Sequence, residues 1–233
     1  MRVGPLSTRN AGAHKDGGLA QIFSRHFGFL FRLAALAALV IVTALILLWR
    51  AVMAYPAGVH DALEQPIPFS HKHHVGDDGI DCRFCHTTVE TEAHAGLPST
   101  GVCLGCHSQL FRDQAVLAPL RDSAARGRPV PWRRVHVLPD FVFFNHGVHV
   151  AKGVACVECH GRVDQMPIEW RAQPLRMQWC LDCHRDPAPR LRPPSQVFAM
   201  DAPRVAPAQA GLLAQAAHLE SRRRMTDCST CHR

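Results

Sequence analysis

All ten cysteines lie in copies of one pattern, Cys-x-x-Cys-His. The copies are Cys82, Cys85 and His86; Cys103, Cys106 and His107; Cys156, Cys159 and His160; Cys180, Cys183 and His184; and Cys228, Cys231 and His232. Two thiols on one helical turn can add across the two vinyl groups of a porphyrin while the adjoining imidazole reaches the iron, which is the chemistry of covalent haem c attachment. Disulfides in an oxidising compartment and zinc ribbons also use paired cysteines. Neither requires a histidine directly after every pair. With His at 16 of 233 residues, a fivefold recurrence selects five covalent haems c, with His86, His107, His160, His184 and His232 as the proximal iron ligands.

Eleven histidines lie outside these motifs and supply candidates for the opposite face of each iron. Phe69-Ser-His71-Lys-His-His74-Val75 and Phe144-Asn-His146-Gly-Val-His149-Val150 are the same string, and each leads through Gly-Ile or Gly-Val into a Cys-x-x-Cys-His motif. Second motifs follow the first by 21 residues in one case and 24 in the other. The chain therefore repeats a two-haem unit around 69–107 and 144–184 and adds a single haem at 228–232. If the His-x-x-His segment is helical, its imidazoles stand on neighbouring positions, too close to serve one iron from both sides but able to serve two. His71, His74, His146 and His149 are thus distal candidates. For a fifth, His136 in Trp132-Arg-Arg-Val-His136 comes first. Met177, three residues before Cys180, is its rival, and thioether ligation would raise that haem's potential.

These ligands need a scaffold and a compartment. Leu33 to Trp49 is apolar for 17 residues apart from Thr43, flanked by Arg32 and Arg50. With snorkelling arginines, 27–55 is long enough for a transmembrane anchor. Residues 1–50 carry a net +5 of the chain's +7, so the positive bias puts 1–26 in the cytoplasm as a tail and 56–233 in the periplasm as the haem domain. A cleaved signal peptide ending near Val52-Met53-Ala54 is the alternative, but its apolar run and leading segment are long for one. Because the basic charge sits beside the anchor, and no nucleic-acid motif is present, the sequence gives no nucleic-acid partner. Propionates from five haems would turn a domain near +2 acidic. Within that domain, 111–131 is a spacer with a helix through Ala115–Arg126, 185–207 a Pro- and Arg-rich strap over the surface, and 210–224 helical. The fold class expected is mostly α and irregular, with porphyrins forming much of the core.

The strings FSHKHHVGDDGIDCRFCHTTVE, WRRVHVLPDFVFFNHGVHVAKGVACVECHGRVDQM and LRMQWCLDCHR, with a final CSTCHR and one anchor, resemble the pentahaem cytochrome c subunit of bacterial alternative complex III over nearly all of 65–233. The haem packing implied resembles that of class III-type cytochromes. By that resemblance His71 would cap the haem at Cys82 and His146 the haem at Cys156, leaving His74 and His149 to reach other haems. The function implied is electron relay from a quinol-oxidising complex of the inner membrane to a soluble periplasmic cytochrome c or a terminal oxidase. The partners implied are an iron–sulfur/molybdopterin-like subunit, integral membrane quinol-site subunits and a monohaem cytochrome c. Independently of resemblance, closely spaced haems with both axial positions filled conduct electrons rather than bind substrate, which makes this an electron-transfer subunit and not a catalyst. Two alternatives are a multihaem reductase of a small nitrogen or sulfur oxyanion, which needs an open iron face, and a tetrahaem-type quinol dehydrogenase.

Overall fold

The computed structural model describes residues 26–54 and 58–232, so the tail expected at 1–26 lies outside the described residues except for His26. The chain divides after Tyr55 into two compact units.

The first unit contains α1, Phe27–Ala54. Its Ala- and Leu-rich run has no helix breaker after Gly28, and its 28 residues extend about 42 Å at 1.5 Å each. By length and composition it can cross a membrane.

The second unit is short helices and irregular chain, with four isolated bridges and no strand among the described residues. Helices α2 (Cys82–Cys85), α3 (Thr100–His107), α6 (Cys156–His160), α7 (Met177–Arg185) and α10 (Cys228–Cys231) carry the five cysteine motifs. Asp81 starts α2 by accepting from Arg83 N–H at 2.8 Å, and Asp227 starts α10 by accepting from Ser229 N–H at 2.9 Å, satisfying donors that a helix end otherwise leaves unpaired. Between them lie α4 (Ala118–Arg126), α5 (His146–Ala151), α8 (Pro207–Ala216) and α9 (Arg222–Met225). A 3-10 turn at Ala115–Leu117 precedes α4, so helix occupies the spacer where the sequence places it.

The two His-x-x-His strings fold differently. His146–Ala151 is α-helical, whereas Lys72–Asp77 is a π-helical turn. Counting from Phe69 to Cys82 and from Phe144 to Cys156 shows one extra residue in the first copy. The π turn absorbs it: Asp78 N–H reaches back to His73 O at 2.9 Å. The ladder is in step again where Ile80 N–H meets His74 O at 2.9 Å and, in the second copy, Val154 N–H meets His149 O at 3.0 Å.

Each string packs on the other repeat. Lys72 N–H donates to Met166 O at 3.0 Å and Gly147 N–H to Glu92 O at 3.0 Å, so equivalent donors meet equivalent acceptors across the repeat. Buried side chains form two clusters. Ile67, Leu120 and Val130 gather against Cys103 and Trp132, while Val163, Met166 and Met200 gather against both Cys82 and Cys156 and bring the first and third motifs together.

The strap does not run over the surface as its composition suggests. Leu191, Arg192, Val197 and Met200 are buried. Arg192 N–H bonds Gly153 O at 2.8 Å and Cys156 N–H bonds Val197 O at 3.1 Å, which threads 185–207 beside the third motif. A Pro-rich chain suits this place because it needs few backbone partners of its own.

Candidate haem sites

In each motif one short helix holds both thiols, and all ten cysteines are free. Burial pushes the thiols of Cys156 and Cys159 up to about 12, leaving them neutral. Each short helix also fixes the following histidine.

Seven of the imidazoles singled out in the sequence place Nδ1 against a backbone carbonyl. The pairs are His74 with Ser70 O at 2.9 Å, His86 with Gly96 O at 2.7 Å, His107 with Leu110 O at 3.1 Å and His146 with Ala93 O at 2.8 Å. His149 meets Asn145 O at 2.7 Å, His184 meets Met225 O at 2.8 Å and His232 meets Phe141 O at 3.1 Å. A carbonyl accepting from Nδ1–H fixes the tautomer and frees Nε2 for a metal.

The rings also pair. His74 and His107 have centres 6.1 Å apart, and their repeat counterparts His149 and His184 are also 6.1 Å apart. With metal–imidazole bonds of about 2 Å, two rings on opposite faces of one iron have centres roughly 6 Å apart. Phe69 stacks on His74 at 4.5 Å and Phe144 on His149 at 4.5 Å, so the leading phenylalanine of each string holds the ring that reaches across. His146 lies 6.3 Å from His160 with the rings 19° apart.

Around His160 the site is more crowded. His136 stands only 4.3 Å from it, beside it and too close for an iron between the two. Burial, with neighbouring charges, lowers His71 and His136 to about 4 and His160 to about 3, keeping the rings neutral, the form that binds a metal. The buried Nδ1 of His71 and Nε2 of His136 have no hydrogen-bond partner. Met177 lies exposed at the start of α7, and the ring of His232 faces Phe141 at 5.7 Å. Free thiol pairs, Nε2-directed imidazoles and ring spacings of this size fit haem c.

Residues 142–233 match the family of cytochrome c7 and related cytochrome c. The fold is that of a cytochrome c7-like multihaem domain. It is also 39 % identical over 121 residues to the menaquinone reductase multihaem cytochrome c subunit of Nitratidesulfovibrio vulgaris. That match covers 52 % of this chain and 55 % of the relative, so the chain spans about half the length of the curated protein it resembles.

Two acidic residues of the cytochrome domain escaped the sequence reading. Glu158, between the cysteines of the third motif, is buried and meets Arg192 at 3.0 Å, Arg204 at 3.0 Å and Arg190 at 3.4 Å. Glu169 lies among His71, His136 and His160 at 3.6, 3.4 and 4.0 Å, and burial raises its carboxyl to about 7. The clustering of arginines in 185–207 was a usable signal for Glu158; Glu169 had none.

Proposed function

We propose that the chain binds five haems c and relays electrons within a quinol-oxidising complex of the bacterial inner membrane, of the alternative complex III kind. Haem c supplies one-electron carriage when bound. The observation that carries the reading is the duplicated ring pair, His74 with His107 and His149 with His184, at the same spacing in both repeats. A distal imidazole facing a proximal one closes the iron to substrate, which favours a relay over a reductase. Cys82, Cys85, Cys103, Cys106, Cys156, Cys159, Cys180, Cys183, Cys228 and Cys231 form the thioethers, and His86, His107, His160, His184 and His232 are proximal. His146 faces His160 and, by repeat equivalence, His71 serves the first motif. His136 and Met177 are the candidates for the fifth iron.

In this reading 27–55 is the anchor, 1–26 is cytoplasmic and 56–233 is periplasmic. The partners are an iron–sulfur/molybdopterin-like subunit, quinol-site membrane subunits and a monohaem cytochrome c, with a terminal oxidase or soluble cytochrome c as acceptor. The name of the relative favours a second reading, in which electrons run the other way, into menaquinone. Anaerobic spectra of the native membrane complex separate these. Menaquinol should reduce the c haems, and the pyridine haemochrome should count five per chain. Two or fewer haems would defeat the assignment, and pre-reduced haems that menaquinone oxidises but menaquinol does not reduce would select the second reading.

A further inference from the structure

Ten imidazoles make up the candidate sites, and seven of them rest Nδ1 on a backbone carbonyl. The other three, His71, His136 and His160, come from the first repeat, the linking segment and the third motif, and their Nδ1 atoms all face the Glu169 carboxylate. Oε2 is 3.6 Å from His71, while Oε1 is 3.4 Å from His136 and 4.0 Å from His160. These separations are a few tenths of an ångström or more beyond hydrogen-bond length, within reach of small ring rotations. The carboxylate itself is held in place. Trp170 packs on the cluster that joins the first and third motifs, and the next residue is pinned where His60 N–H donates to Arg171 O at 3.0 Å. Glu169 is therefore aimed from a fixed backbone at the three imidazoles.

A carboxylate behind an imidazole does more than a carbonyl does: it orients the ring and raises its basicity as a ligand. A more basic axial ligand favours the oxidised iron and lowers its potential. We propose that Glu169 is a positioning residue for haem ligation, fixing His71 and His160 with Nε2 free for iron and making the irons they serve the lowest in potential in the chain. The proposal rests on the haem assignment above. One side chain thus sets these irons apart, since the His74–His107 and His149–His184 ring pairs have only carbonyls behind them.

The test is a spectroelectrochemical titration of the full-length holoprotein, with low-temperature electron paramagnetic resonance, for the wild type, Glu169→Gln and Glu169→Asp. Glu169→Gln should retain five haems yet move one or two of the lowest steps upward by about tenfold in the reduction equilibrium, about 59 mV for one electron. The corresponding low-spin signals should change. Glu169→Asp keeps a carboxylate and should move the same steps less. Unmoved steps and unchanged signals in a fully loaded Glu169→Gln protein would overturn the proposal, as would a shift confined to the highest step. If Glu169→Gln fails to load haem, a fully loaded Glu169→Asp protein with unmoved low steps overturns it equally. His136, His160 and Glu169 also have ligand atoms within 4.8 Å of one another. Stoichiometric non-haem metal in the native protein, lost in Glu169→Gln, would show that Glu169 serves a cation instead. A wild-type chain without haem, by contrast, defeats the function and not this step alone.

Discussion

The residue before the second cysteine is Phe84 in the first motif and Glu158 in the third, and the domain inverts the usual preference: the phenylalanine is 57 % exposed and the glutamate 6 %. The strap causes the inversion. Arg190, Arg192 and Arg204 close around Glu158, with Arg192 buried beside it, so the acid is placed by three cations from one segment. The same strap meets the first motif differently: Met200 joins the cluster against Cys82, and the Arg83 guanidinium sits 4.5 Å over the Phe198 ring. Repeated motifs thus fix where the cysteines and histidines stand, while the segment packed against each copy decides what its variable positions become.

The largest expected effect tests what the repeats share. His74→Ala and His149→Ala should each convert one haem to a high-spin, carbon monoxide-binding form, seen as about a fifth of the Soret change of fully open protein. Effects of equal size in the two variants support equivalent sites, whereas a silent His74→Ala would break the equivalence. Next comes the charge. Glu158→Gln leaves the buried Arg192 guanidinium without its counter-ion and should lower the stability of the holoprotein by about 3–5 kcal/mol, measured by denaturation followed in the Soret band. Phe84→Ala, at the matching exposed site, should stay within about 0.5 kcal/mol.

Glycine gives a finer comparison. Gly79 and Gly153 both precede their motifs with positive φ, +69° and +83°, so a side chain is strained at either. Only at Gly153 would a Cβ also meet backbone, 2.7 Å from Arg192 O, while nothing lies within 4 Å at Gly79. Gly153→Ala should therefore be more destabilising than Gly79→Ala by about 1–3 kcal/mol in the same assay. The smallest effect concerns the cap. Asp81→Ala should cost about 1 kcal/mol, because Asp81 caps its motif helix whereas the matching Ala155 supplies no side-chain cap to lose.

Much of the haem domain was legible because spacing carries it. The five motifs, the duplicated His-x-x-His strings and the spacer helix before Gly127 follow from local sequence, and the chain is mostly helical and irregular as that pattern implies. The π turn was legible in principle from the extra residue before Cys82, whose only cheap accommodation within a helix is a bulge. What local sequence could not give were contacts between distant segments. Proline and arginine suggest exposure for 185–207 until Glu158 offers the arginines a buried partner. The position of His136 beside His160 depends on a chain segment more than twenty residues away, and nothing in the neighbourhood of Glu169 marks its convergence with three imidazoles.

The reciprocal bonds from Lys72 to Met166 and from Gly147 to Glu92 mean that neither half can finish alone. A chain made from its amino end presents Lys72 long before Met166 exists, so the early half must wait, open and reachable, until the later half arrives. Such long-range closure is slow. During that interval the first two thiol pairs stay reachable before the halves clasp, and a truncated chain ending before Met166 should stay vulnerable to proteases for the same reason.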